Sequence, residues 1–132
     1  MAEYLMRYLV EQQGRTRDFD IASAAVSDEE TGNDIYPPAK RKLTEKGIPF
    51  GRHAARRVTP QDYDRYDRIV CMDHSNIRLL TYRIGADTAG KVSLLLDWAG
   101  ESRDVADPWY TGDFEATYRD LLRGCSAMLR QL

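Results

Sequence analysis

Two hydrophobic rhythms alternate along the chain. Leu5, Met6, Leu9 and Val10 recur at helical spacing and predict a helix over 2–13 that stops at Gly14. Residues 19–26 form a short apolar segment of strand type, followed by a polar loop over 27–34. Pro37 and Pro38 then open a charged helix over 39–46, closed by Gly47. Thr59-Pro60-Gln61-Asp62 is a helix entry, with Thr as cap and Pro at the first position, and it leads through Tyr66 to a strand over 68–72. The stretch from Asp73 to Asn76 caps a further helix reaching about Arg83. A loop over 85–91 and a strand over 92–96 follow. The last helix, over 114–132, carries Phe114, Tyr118, Leu121, Leu122, Cys125, Met128, Leu129 and Leu132 at helical spacing. No internal repeat or low-complexity tract interrupts this order.

Strands that are continuous apolar runs separated by helices imply a parallel sheet covered on both faces. The expected fold class is therefore α/β, a three-layer arrangement in which three strands are flanked by helices. The alternation starts on a helix, so its first strand is missing, and three strands are few for a doubly wound sheet. A length of 132 residues with 42% apolar content fits one domain over 1–132.

Charge and cysteine usage narrow the classes. Nineteen basic against twenty-one acidic side chains give a net charge of -2, and the sequence pI is about 5.7, which excludes the basic excess of non-specific nucleic-acid binders. Glu3, Arg7 and Glu11 among the first apolar residues are the expected pattern of neither a signal peptide nor a transit peptide, and no apolar run reaches membrane-spanning length. The expected location is the cytoplasm. Cys71, inside the run Ile69-Val70-Cys71-Met72, and Cys125, inside the last helix, form neither a disulfide framework nor a metal-ligand cluster, and read as buried thiols. His74 has no ligand cluster around it. No metal or cofactor is implied.

The segment with the most chemistry is Asp107-Pro108-Trp109-Tyr110. Pro108 restricts Asp107 to an extended backbone and holds it in place, so a carboxyl stands beside two aromatic rings. Taken alone, the four residues are equally an ordinary surface turn. Taken with Ser23-Ala24-Ala25, with Ala55-Arg56 after His53, with Cys71-Met72-Asp73 and Ser75-Asn76, and with Met1-Ala2-Glu3 at a helix start, the chain resembles the low-molecular-weight protein tyrosine phosphatase family from end to end.

The resemblance implies a flavodoxin-like sheet and hydrolysis of phosphotyrosine monoesters through a cysteinyl-phosphate. It implies that Asp107 is the general acid, which protonates the departing tyrosyl oxygen and then activates water. By the same resemblance Trp109 and Tyr110 form the aromatic wall of the phosphotyrosine slot. His53, Asp73 and Ser75 match positions that support the phosphate loop, although His53 reads equally as a loop residue and Asp73 and Ser75 as helix caps. Glu29 and Glu30 fall in the loop that borders the slot and hint at a different preference among phosphopeptides.

The family's nucleophile loop, C-x5-R-S, has no counterpart in these residues. Six positions after Cys71 stands Ile77, and six after Cys125 stands Gln131. A strand interior and a helix interior also lack the free N–H groups that cradle phosphate at a helix N-terminus. The expectation is a family member truncated at its N-terminus and inactive as this chain, or an active phosphatase whose start codon is placed too late. A non-catalytic module that binds phosphotyrosine or another anion is the alternative. The related arsenate reductases need further redox-active cysteines and fit less well. Loss of an interior strand would leave the sheet to rearrange, to pair its exposed edges in a swapped homo-oligomer, or to unfold in part. Expected partners are a phosphotyrosine protein or a small phosphate monoester, with no nucleic acid and no membrane.

Overall fold

Residues 1–27 and 31–132 are described by a computed structural model. Glu29 and Glu30, expected beside the slot, lie outside the described residues. The elements run α1 (Ala2–Gln12), a 3-10 turn (Thr16–Asp18), α2 (Pro37–Glu45), α3 (Pro60–Arg65), β1 (Ile69–Cys71), α4 (His74–Ile84), β2 (Val92–Leu94), a second 3-10 turn (Leu95–Ala99), α5 (Pro108–Thr111) and α6 (Phe114–Gln131).

Local chemistry explains most of these boundaries. Asp62 and Thr59 exchange side-chain and backbone hydrogen bonds in a capping box that starts α3, and Asp73 and Asn76 do the same for α4. α2 begins at Pro37, two residues before its expected start, because proline at the first helical position needs no N–H partner. α6 is a long amphipathic helix that buries Leu121, Cys125, Met128 and Leu129 on one face.

β1 and β2 pair in parallel, with Ile69 opposite Val92 and Cys71 opposite Leu94. Val70 packs with a larger core formed by Leu5, Val10, Leu43, Leu95, Leu96 and the buried face of α6. Cys71 and Leu94, one position along, pack with a smaller core containing Val58 and Leu80. That alternation follows from the two-residue period of a strand. It puts α1, α2 and α6 on one face of the sheet and α4 on the other.

The expected third strand is corrected. Over residues 19–25 the side chains alternate between partly buried and exposed as a strand's would, yet only Ala25 forms a bridge, to Arg57. Among the described residues the sheet has two strands. An extended segment becomes a strand only when a neighbour supplies the ladder, and no strand is described between this segment and β1. The strand expected over 92–96 is also shorter. Leu95 begins a 3-10 turn in which the Asp97 carboxylate accepts from the Leu94 N–H at 3.4 Å, and Gly100 closes it at φ +74°. This turn lies hard against α6. A Cβ on Gly124 would collide with Leu95 Cγ, so glycine fits there best.

Candidate active site

The Asp107 segment is mounted at the end of β1. Met72, directly after that strand, accepts a hydrogen bond from Val105 N at 2.8 Å. Thr117, buried on α6, donates its hydroxyl to the Ala106 carbonyl at 3.1 Å. Upstream, Arg103 reaches Asp120 on α6 in a bidentate pair at 2.7 and 2.9 Å, which raises the guanidinium's pKa and lowers that of the carboxyl. The C-terminal end of a parallel sheet is also where ligand sites form in open α/β folds.

Asp107 is exposed, and its Oδ1 accepts from the Trp109 N–H at 2.9 Å. The segment expected as a loop is thus a four-residue helix, α5, capped by the candidate acid and ended by Gly112 at φ +71°. Trp109 is 58% exposed and Tyr110 85%. The Trp109 ring leans on Tyr36, with centroids 4.5 Å apart and planes at 47°, and Tyr36 in turn meets Phe114 at 6.0 Å. Tyr110 joins no ring pair among the described residues. Tyr36 went unnoticed in the sequence, where its only mark is a place before Pro37-Pro38.

A second cluster gathers at the start of α1. Glu3 is nearly buried, accepts from Ser23 Oγ at 2.6 Å and pairs with Arg7 at 2.8 Å. His53 Nδ1 stands 3.9 Å from Glu3 Oε1, and the His53 ring meets Tyr4 edge-on. His53 also donates its backbone N–H to Asp34 Oδ1 at 2.8 Å. Three of the segments quoted for the resemblance therefore converge here through Glu3, Ser23 and His53. Asp73 acts as the cap of α4, while Ser75 is exposed in its first turn. His74 Nδ1 contacts Asp104 at 2.6 Å.

Both thiols are buried. Desolvation pushes Cys71, on β1, up to about 11 and Cys125, on α6, up to about 12. Each is a neutral thiol at physiological pH. A groove of about 400 Å³ between the second 3-10 turn and α6 is lined by Trp98, Glu101, Arg123 and Arg130 and includes none of the acid-loop residues. Among the described residues no three His, Cys, Asp or Glu side chains gather as metal ligands, and no helix is long and apolar enough to cross a membrane.

A family model described as low molecular weight phosphotyrosine protein phosphatase matches residues 1–132. The chain belongs to this family. It is 33% identical to the low molecular weight protein-tyrosine-phosphatase YfkJ of Bacillus subtilis, over 100% of this chain and 86% of that protein. It is 34% identical to the low molecular weight phosphotyrosine protein phosphatase of Sus scrofa, with the same two coverages. The crystal structure of YfkJ superposes with a TM-score of 0.93 at 32% identity, over 98% of this chain and 83% of that one. That of SP-PTP from Streptococcus pyogenes gives 0.88 at 31%, over 99% and 82%. The low-molecular-weight phosphatase assignment and its α/β fold therefore stand, with Asp107 at the sheet's C-terminal end.

Proposed function

We propose that these 132 residues form the acid-and-slot half of a phosphotyrosine phosphatase site, and that by themselves they do not hydrolyse phosphate monoesters. The observation that carries the second clause is the state of the two thiols. Attack on phosphorus needs a thiolate among N–H donors and an arginine for the equatorial oxygens. Cys71 and Cys125 are instead desolvated, with their pKa values pushed to about 11 and 12, and neither has an arginine six positions on.

Asp107 is the group suited to the leaving oxygen. Its Oδ1 holds the Trp109 amide, so Oδ2 is the oxygen that would carry the proton to a departing tyrosyl oxygen and then take one from water. Trp109 and Tyr110, both exposed, would flank the aryl ring, and family membership supports these roles. Two free buried cysteines also suit a reducing cytoplasm. The partners we propose are a phosphotyrosine-bearing protein and, through the edge of β1 that pairs with no strand among the described residues, a second copy of the chain.

The test is hydrolysis of para-nitrophenyl phosphate by the purified chain, beside Asp107→Asn, Cys71→Ser and Cys125→Ser. No turnover above buffer is expected from any of the four. Turnover that fell with either cysteine substitution would overturn the proposal.

The exposed Trp109 and Tyr110 also favour a second reading, weak binding of an aryl phosphate without chemistry. Quenching of Trp109 fluorescence by phenyl phosphate, absent in Trp109→Ala, would bear it out. A flat titration into the millimolar range would dispose of it.

A further inference from the structure

We propose that Tyr36 is a positioning residue of this site: it fixes the Trp109 ring and, through Trp109, the helix that Asp107 caps. The inference rests on the proposed function for its meaning in the reaction, but not for the contact itself.

The two partners in the contact are mounted differently. Tyr36 is the N-cap of α2, at φ -56° and ψ 130°, the extended conformation that a following proline favours. Just before it, Asp34 pairs with Lys40 at 2.5 Å and accepts from the Ile35 and His53 backbone N–H groups, each at 2.8 Å. Behind it, α2 is pinned to α6, where Glu115 receives Lys42 at 2.8 Å and Lys46 at 3.1 Å. Glu115 is the neighbour of Phe114, the other ring that touches Tyr36. Tyr36 therefore sits in a frame tied on three sides.

Trp109 has no such frame. It lies on a four-residue helix, and its described restraints are the bond from its own N–H to Asp107 and the ring contact with Tyr36 at 4.5 Å. Tilted aromatic pairs at this separation favour a particular geometry beyond the area they bury. The more tightly framed residue thus sets the less framed one, and the Trp109 N–H is one hydrogen bond from the Asp107 carboxylate. If Trp109 swings, the wall and the Asp107 oxygen that caps its N–H move together.

The experiment uses the intact chain with Trp98→Phe, which leaves Trp109 as the one tryptophan. Tyr36→Ala and Tyr36→Phe are compared by emission maximum, acrylamide quenching and affinity for phenyl phosphate, with melting curves on each. Tyr36→Ala should shift the emission to the red, raise the quenching and weaken phenyl phosphate binding about three- to tenfold, the worth of one aromatic pair. Tyr36→Phe should restore all three, which a loss of general stability would not do. Emission and quenching unchanged in Tyr36→Ala would overturn the proposal. So would phenyl phosphate binding that Trp109→Ala abolishes and Tyr36→Ala leaves intact. If the spectra move while phenyl phosphate fails to bind the parent chain, the positioning contact stands and the aryl-phosphate reading falls. Should Tyr36→Ala not fold, Tyr36→Leu keeps the bulk without the ring and answers the same question. If Trp98→Phe does not fold, the difference between the parent chain and Trp109→Phe isolates the same signal.

Discussion

Asp107 caps a helix, the proposed reaction gives the same carboxyl a second job, and the two can be separated chemically. Its Oδ1 caps α5 through the Trp109 N–H, while the resemblance gives the side chain the acid's role. Asparagine caps a helix about as well as aspartate but cannot carry the proton, whereas alanine does neither. Asp107→Ala should therefore lower folding stability by about 0.5 to 2 kcal/mol, and Asp107→Asn should leave it within a few tenths. Urea melts of the two variants and the parent check this. Equal loss in both would mean that the cap contributes little and that the charge itself matters. The practical consequence is that Asp107→Asn, not Asp107→Ala, is the clean control for proton transfer.

At the scale of elements, the joint between α2 and α6 should depend on pH. Glu115 lies between Lys42 and Lys46, and its carboxyl is lowered from 4.5 to about 2, with the hydrogen bond from Lys42 as the largest cause. A carboxyl whose folded value is depressed contributes stability above its unfolded pKa and loses it as pH falls through the folded one. The joint should be intact above pH 4.5 and weaken progressively between 4.5 and about 2. Melting temperatures across that window should fall less steeply in Glu115→Gln than in the parent chain. Parallel curves would show that the joint has no part in acid sensitivity. Salt should shrink the difference, because the pair is exposed enough to be screened.

The elements also separate what the residues announce from what they do not. Helix starts at Thr59 and Asp73, and to within two residues at Pro37, are legible because caps and prolines act within one turn. The final helix was legible because its apolar spacing runs over many turns. The strand expected over 19–26 fails because pairing is a property of two segments, and an apolar pattern alone does not name the partner. α5 escaped notice because four residues carry no period. The same division holds at the site. Asp107, Trp109 and Tyr110 stand together in the chain and are legible as a candidate group, while the contacts of Tyr36 with Trp109 and of Glu3 with Ser23 and His53 span long sequence separations and are not. Tyr36, at the start of α2, reaches Trp109, on α5 just before α6, where α2 packs beside α6 and Lys42 and Lys46 bridge to Glu115.

For the whole molecule, the described sheet is narrow for its cores. Two strands of three residues each, β1 and β2, separate a large hydrophobic cluster from a small one. An unpaired strand edge presents free N–H and C=O groups and can template a second chain, although short edges limit this. The self-association proposed above predicts that elution volume in size exclusion falls as protein concentration rises, and that the shift is lost at low concentration. A monomer at every concentration would remove that part of the reading. The two clusters also differ in where their residues come from. Val58, Cys71, Leu80 and Leu94 all lie in one central stretch of the chain. The large cluster needs Leu5 and Val10 of α1 against Leu121, Cys125 and Leu129 of α6. During synthesis the small cluster can assemble as soon as β2 has left the ribosome, whereas the large one is completed only with α6, so the apolar face of α1 lacks its α6 partners until that helix is made.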